Sequence, residues 1–323
     1  MKHSLALAIA AAAVLAATAC SSSGTSPNPV PTATPLPQHV YVANYNNMSG
    51  SKTGNLVVFT LPLSSGELPS ATIAAPQSGA GAMGIAQNAG QLAVKWGGAQ
   101  VISVYAKPIT DTSAPLFSFS AADAAAGGAP LNLFSLAYDS SGNLYGGTQF
   151  GQVVEYAAPL SSSSTPAIHV SLPNNGSYPV VAASGTTLAV GTYSPAAIYI
   201  YSLPLSNSSA PIATIAPASA TYVNVAFDST GSLYAVNWHT GIEVYKPPFG
   251  NSSTPAFTIP EAMPGAPGTL ALDSANDLFE EVGNSAASME LGEYPATLSA
   301  SSVVTNSTTS GLEAPWVQIA IGD

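Results

Sequence analysis

Apolar residues in this chain fall into short runs, each bounded by Gly, Pro, Ser, Asn or Asp. HVYVAN (39–44), QLAVKW (91–96), NLYGGT (143–148), TLAVGT (187–192), SLYAVN (232–237) and DLFEEV (277–282) are rich in β-branched and aromatic side chains. They predict strands, and no segment beyond residue 38 carries the period of an amphipathic helix. Five of these runs follow another apolar run that ends in a turn: GIAQNAG, LAYDSSG, VAASG, VAFDSTG and LALDSAN.

The runs recur with a fixed marker. An aromatic residue followed three positions later by proline appears as Phe59/Pro62, Tyr105/Pro108, Tyr156/Pro159, Tyr201/Pro204 and Tyr245/Pro248, with a looser copy at Tyr294-Pro295. The aromatics are 46, 51, 45, 44 and 49 residues apart. Behind each proline comes a Ser/Thr-rich turn and a second proline, as in PLSNSSAPIATI and PFGNSSTPAFTI. Four short strands per repeat of this length predict the blade of a β-propeller. The expected fold is all-β, six blades over residues 39–323 in a single domain. The first copy lacks its leading strand, and WVQIAIGD (316–323) supplies a matching one at the other end. The C-terminal strand is therefore expected to complete the first blade and close the ring.

The order GIA-x-D-x-x-G-x-LYVA followed by I-x-VY resembles NHL-repeat and related six-bladed propellers, which include streptogramin-lyase-like and gluconolactonase-like proteins. The resemblance spans residues 39–323. It implies the fold and leaves activity open, because propellers host many functions.

The N-terminus gives an expected address. Leu5 to Ala19 is an unbroken apolar run behind Lys2 and His3, shorter than the about 20 residues of a bilayer span and suited to a signal peptide. Ala17-Thr18-Ala19-Cys20 resembles the bacterial lipobox, with Ala17 where the family prefers Leu. This implies cleavage after residue 19 and acylation of Cys20, the sole cysteine. The alternative is an ordinary secretory signal with an incidental cysteine. Residues 20–38, with five prolines and no charge, read as a tether. The expected location is the cell envelope, lipid-anchored, in the outer membrane if the host has one.

Charge narrows the partners. The chain has 5 Lys+Arg, all lysine, against 16 Asp+Glu, for a net charge of −11. Nucleic acid needs a dense cationic footprint and is not an expected partner. One cysteine excludes an intramolecular disulfide framework.

In a propeller, the loops between second and third strands and the blade-to-blade connections emerge on one face. Reading those positions gives Tyr45, Asn46, Asn47, Lys95, Trp96, Gln149, Phe150, Thr192, Tyr193, Trp238, His239, Glu280 and Glu281. The connections add Asn175, Tyr178, Tyr222, Asn224, Glu261, Glu313 and Trp316. Tyr45, Trp96, Phe150, Tyr193, Trp238, His239 and Trp316 are the candidate ligand-binding set, because flat aromatics beside amides suit a glycan or a peptide. The competing reading packs these aromatics between blades or in the central channel. The expected role is a binding or scaffold module, for a glycan, a peptide or an envelope protein.

The resemblance also implies an alternative, a metal-dependent hydrolase or lyase, with Glu280, Glu281, Glu313 and Asn224 as candidate oxygens and His239 as the one histidine on the candidate face. The family's ligand pattern is not repeated in this chain, so no catalytic residue, metal ligand or cofactor is assigned. Asp139, Asp228 and Asp273 end first strands before Gly or Asn, and are expected to accept from backbone N–H groups in tight turns on the opposite face. The sequons at Asn207, Asn251 and Asn306 are expected to be by-products of Ser-rich turns.

Overall fold

The computed structural model describes residues 38–45, 54–77, 80–98, 100–123, 128–217, 220–260, 268–283, 289–312 and 318–323. The expected signal peptide, Cys20, the expected tether up to residue 37, and Asn46, Asn47, Glu261, Glu313 and Trp316 lie outside the described residues.

The structure is a six-bladed β-propeller, each blade a four-stranded antiparallel sheet. From the axis outward, blade 1 is Gln318–Gly322, His39–Ala43, Asn55–Thr60 and Ala71–Ala74. Blade 2 is Ala82–Gln87, Gln91–Trp96, Val101–Ala106 and Phe117–Ser120. Blade 3 is Leu133–Tyr138, Leu144–Thr148, Gln152–Tyr156 and Ile168–Ser171. Blade 4 is Val180–Ser184, Thr187–Thr192, Ala197–Ser202 and Ala213–Ile215. Blade 5 is Tyr222–Phe227, Leu233–Asn237, Gly241–Tyr245 and Phe257–Ile259. Blade 6 is Thr269–Leu272, Leu278–Val282, Glu290–Tyr294 and Asn306–Thr308. The expected closure is present: Gln318–Gly322 pairs antiparallel with His39–Ala43, from His39 opposite Gly322 to Ala43 opposite Gln318. A small two-stranded ribbon, Ala122–Asp123 with Ala129–Pro130, sits in the connection from blade 2 to blade 3.

Each blade is covered on both sides, so the middle strands are buried along nearly their whole length. Strands covered on both faces read as continuous apolar runs rather than alternating ones. Six hydrophobic clusters result, one at each junction between neighbouring blades. The recurring aromatics Phe59, Tyr105, Tyr156, Tyr201, Tyr245 and Tyr294 are all fully buried. Each wedges against the preceding blade, Tyr105 against blade 1 and Phe59 across the closure against blade 6. The prolines that follow five of them are cis: Pro62, Pro108, Pro159, Pro204 and Pro248.

The rim carries a second recurring device. Asp111, Asn207 and Asn251 occupy one position of the Ser-rich turn between third and fourth strands. Their side-chain oxygens accept the outward N–H groups of Thr72 (2.7 Å), His169 (2.8 Å) and Thr214 (2.8 Å) on the previous blade's outermost strand. An open strand edge is a template for unwanted pairing, and these contacts occupy it.

At the axis, the innermost strands are tied together by side chains. Gln318 reaches from blade 1 to blades 2 and 3, its Oε1 accepting Ile85 N–H (2.8 Å) and Leu136 N–H (3.2 Å) and its Nε2 donating to Leu136 O (3.2 Å). Ser135 Oγ accepts Val181 N–H (2.9 Å), and Asn224 bridges to Thr269 and Leu270 in blade 6. The channel holds a cavity of about 180 Å³. A wider hollow of about 560 Å³ lies between the first turns of blades 2, 3 and 4, lined by Gln87, Asn88, Asp139 and Ser184 among others.

Candidate ligand-binding face

Strand direction separates two faces. On the turn face lie the loops between first and second strands, and there Asp139 accepts from Ser141 and Asn143 N–H, Asp228 from Thr230 and Ser232 N–H, and Asp273 from Ala275 and Asp277 N–H, all at 2.8–2.9 Å. These carboxylates are consumed by their own turns, as the sequence predicts. The opposite, connection face holds the loops between second and third strands and the blade-to-blade connections.

Four aromatic rings meet edge to face across blades 3, 4 and 5 on the connection face. Phe134 and Tyr178 lie 4.8 Å apart at 82°, Tyr178 and Tyr193 6.1 Å at 81°, and Tyr193 and Trp238 6.3 Å at 84°. Perpendicular contacts of this kind are favourable because the positive ring edge meets the negative ring face. Tyr178 is 42 % exposed, Tyr193 39 % and the nearby Phe150 66 %.

Local backbone explains each placement. Phe134 is the extra residue of a bulge, because Leu133 pairs with Thr148 while Ser135 pairs with Gly147. A bulge re-aims a side chain that would otherwise enter the pleat. Tyr178 stands at φ +51° immediately before Pro179. A left-handed bulky residue is uncommon and a pre-proline residue is normally extended, so holding it there costs about 1–3 kcal/mol. The surroundings impose it: Ser177 N–H donates to Ser194 O (2.8 Å), Ser177 Oγ to the same oxygen (2.9 Å), and Tyr193 N–H to Ser177 O (3.0 Å). This staples the blade 3–4 connection to the loop that carries Tyr193. Gly147 is required beneath it, since any Cβ there would collide with Pro179 O.

The Trp238–His239 loop rests on a buried acid. Glu243 accepts from Asn237 Nδ2 (2.7 Å), Thr240 Oγ1 (2.8 Å), Tyr222 OH (3.0 Å) and Tyr245 OH (2.6 Å). Asn237 Oδ1 in turn accepts His239 N–H (3.2 Å), and Trp238 N–H donates to Thr221 O (2.9 Å). At the other end of the row, amides form a chain: Gln100 Nε2 donates to Asn132 Oδ1 (2.9 Å), and Asn132 Nδ2 to Gln149 Oε1 (3.3 Å). Phe150 follows directly.

The structure brings Phe150, Tyr193, Trp238 and His239 onto this face. His239 is exposed, with Nε2 3.4 Å from Thr221 Oγ1. Tyr45 is half-buried, its ring laid against Gly81 and Gly97 beside Met83, away from the aromatic row. Trp96 corrects the sequence reading. It ends the second strand of blade 2 but shares the strand side of Leu92 and Val94, so it is wholly buried against blade 1 and presents nothing to a ligand. Phe134, Asn132 and Gln100 were not legible as site residues. Phe134 reads as strand interior in LNLFSLAYD, since the bulge that turns it outward has no sequence mark of its own.

The carboxylates of the hydrolase alternative do not converge. Glu280 and Glu281 occupy consecutive positions of Leu278–Val282 and so point to opposite sides of blade 6, both buried. Tyr294 OH donates to Glu280 Oε2 (2.8 Å). Burial first, and then the neighbouring Glu280 charge, push the Glu281 carboxyl well above the usual carboxylate range. Among the described residues no group of three or more His, Cys, Asp or Glu is placed to hold a metal ion. The two glutamates therefore do not fit a shared cation, and no step is derived through one. Lys95 is also wholly buried, its Nζ donating to Trp96 O (3.0 Å), and burial pulls its ammonium down to about 8.

The chain matches no model of a known protein family, and no curated protein matches it. Among solved structures it is similar to a protein of unknown function from Bacteroides caccae, with a TM-score of 0.57, 9 % identity, and coverage of 88 % of this chain and 99 % of that one. It is also similar to a chain of a mitotic checkpoint complex, with a TM-score of 0.52, 14 % identity, and coverage of 80 % and 75 %. At such identities the likeness concerns the fold alone.

Proposed function

We propose that this propeller is a binding module that engages a glycan or peptide through the aromatic row of its connection face. The observation that carries the reading is Tyr178, an exposed aromatic held in an unfavourable backbone conformation where it completes a row of four rings over three blades. Fold stability gains little from a half-exposed ring, whereas a ligand gains an amphipathic surface. In the same proposal the chain is an exported lipoprotein, anchored through Cys20 to a membrane of the cell envelope.

The test is retention on envelope and cell-wall material prepared from the protein's own host. The wild type is expected to be retained, and the combined Tyr178→Gly, Tyr193→Ala and Trp238→Ala variant to be released, with an unchanged circular dichroism spectrum. Equal retention of both proteins sinks the reading.

A further inference from the structure

Resting on that binding reading and narrowing it, we infer that the aromatic row and its flanking amides take an extended, uncharged oligosaccharide chain. Shape favours such a ligand. Asn132, Gln149 and Phe150, followed by Tyr178 and Trp238, run from the blade 2–3 connection to blade 5, with Gln100 holding Asn132 from behind through its Nε2. The channel cavity and the turn-face hollow described above lie elsewhere. A long, shallow track suits a linear chain lying across several contact points better than a small molecule, which is normally engulfed.

Charge points the same way. Lys95 is buried, while Lys107 and Lys246 lie at the turn-face ends of their strands, and the chain has no arginine. Glu155 and Glu243 of blades 3 and 5 are buried. Asn132, Gln149, Phe150, Tyr178, Tyr193 and Trp238 themselves carry no permanent charge for a phosphate, a carboxylate or an ammonium, and His239 stands exposed at the end of the row. Exposed ring faces cover the C–H faces of pyranose rings, and side-chain amides both donate to and accept from hydroxyls.

A peptide bound as an added strand is disfavoured. That mode needs an open sheet edge, whereas this face presents strand ends and loops; the outer edges of blades 1, 3 and 4 are in addition contacted by Asp111, Asn207 and Asn251. What remains for recognition on this face is side-chain chemistry of rings and amides.

The experiment is affinity electrophoresis through gels carrying hydroxyethylcellulose, galactomannan, laminarin or dextran, with alginate as a charged counterpart and a proline-rich peptide titrated by calorimetry. Retardation by at least one uncharged polysaccharide is expected, insensitive to added salt and reduced about tenfold or more in affinity, about 1.4 kcal/mol, by Tyr178→Gly. That variant removes an exposed ring at a position whose backbone glycine adopts readily, so it is expected to keep the wild-type melting temperature. Trp238→Ala serves as a second reporter. Preference for alginate, or binding of the proline-rich peptide alone, overturns the oligosaccharide assignment while leaving the binding role of the face intact. No retardation by any uncharged polysaccharide overturns it too, and retention on envelope material then decides the wider reading separately.

Discussion

Gln318 is the side chain on which ring closure can be tested at a single atom. Its Oε1 is the acceptor for two buried backbone N–H groups, those of Ile85 in blade 2 and Leu136 in blade 3, and its amide returns a bond to Leu136 O. An innermost strand has no sheet neighbour on its channel side, so these N–H groups have no strand to bond with. Leaving one buried donor unsatisfied costs about 1–3 kcal/mol. Two of them, eased by water entering the channel cavity, put Gln318→Ala at about 2–4 kcal/mol. For a domain of this size that lowers the melting temperature by roughly 3–7 °C. Urea unfolding followed by tryptophan fluorescence, with calorimetry alongside, measures both quantities, and the urea slope is expected to stay unchanged.

Gln318→Leu separates hydrogen bonding from volume. Leucine fills nearly the same space, accepts nothing, and keeps water away from the two N–H groups, so it is expected to be at least as destabilising as alanine. If packing alone mattered, leucine would be harmless. Should both variants unfold within about 0.5 kcal/mol of the wild type, the axial hydrogen bonds carry no net stability. Closure would then rest on strand pairing and packing alone, and the role assigned to Gln318 would be wrong.

Two further predictions come from other parts of the ring. Asn207→Ala and Asn251→Ala each free an exposed N–H on a neighbouring blade, and each is expected to lower stability by about 0.5–1.5 kcal/mol. Their larger effect is expected in light scattering on prolonged incubation, because two outer strand edges become available for pairing; no increase would show that the clasps do not guard those edges. Lys95→Met is expected to stabilise the protein at pH 7. The folded-state ammonium sits near 8 against an ordinary 10.5, so the wild type carries a penalty of about 3 kcal/mol below pH 8 that is relieved as pH rises toward 10.5. The stability gap between variant and wild type, measured by urea unfolding at pH 7 and 9.5, is expected to shrink at the higher pH, and a constant gap would refute the burial argument.

The fold was legible because its determinants are local and repeated. An aromatic that wedges into the preceding blade, a proline behind it and a Ser-rich turn recur at nearly constant spacing, and even the split of blade 1 between the two chain ends shows in the phase of the repeat. The Asp turns were legible for the same reason, since a carboxylate two residues before its donor N–H is a local event. The proposed site was legible only as a choice of face. Whether Trp96 or Phe134 reaches the surface depends on register: Trp96 keeps the inward side of a strand that pairs without a shift with Val101–Ala106, while a bulge one residue long turns Phe134 outward. The amide that donates to Asn132 comes from Gln100 of another blade, and the strain at Tyr178 arises from a staple to Ser194.

The location of the proposed site agrees with where polar side chains are already committed. On the turn face the carboxylates of Asp139, Asp228 and Asp273 are used by their own turns, and on the rim Asp111, Asn207 and Asn251 are used by neighbouring blades. Along the axis Gln318, Ser135, Asn224 and Thr269 satisfy strand edges. Each of these assignments removes a polar group from ligand chemistry because its geometry is fixed by the fold. On the connection face the balance differs: Tyr178, Tyr193 and Phe150 keep much of their surface exposed, and bulges in blades 2, 3 and 5 all fall at this end of the innermost strands. Bulges concentrate where a sheet must aim side chains rather than extend its ladder. Of the surfaces this ring offers, the connection face is the one whose backbone is shaped for presentation rather than for closure.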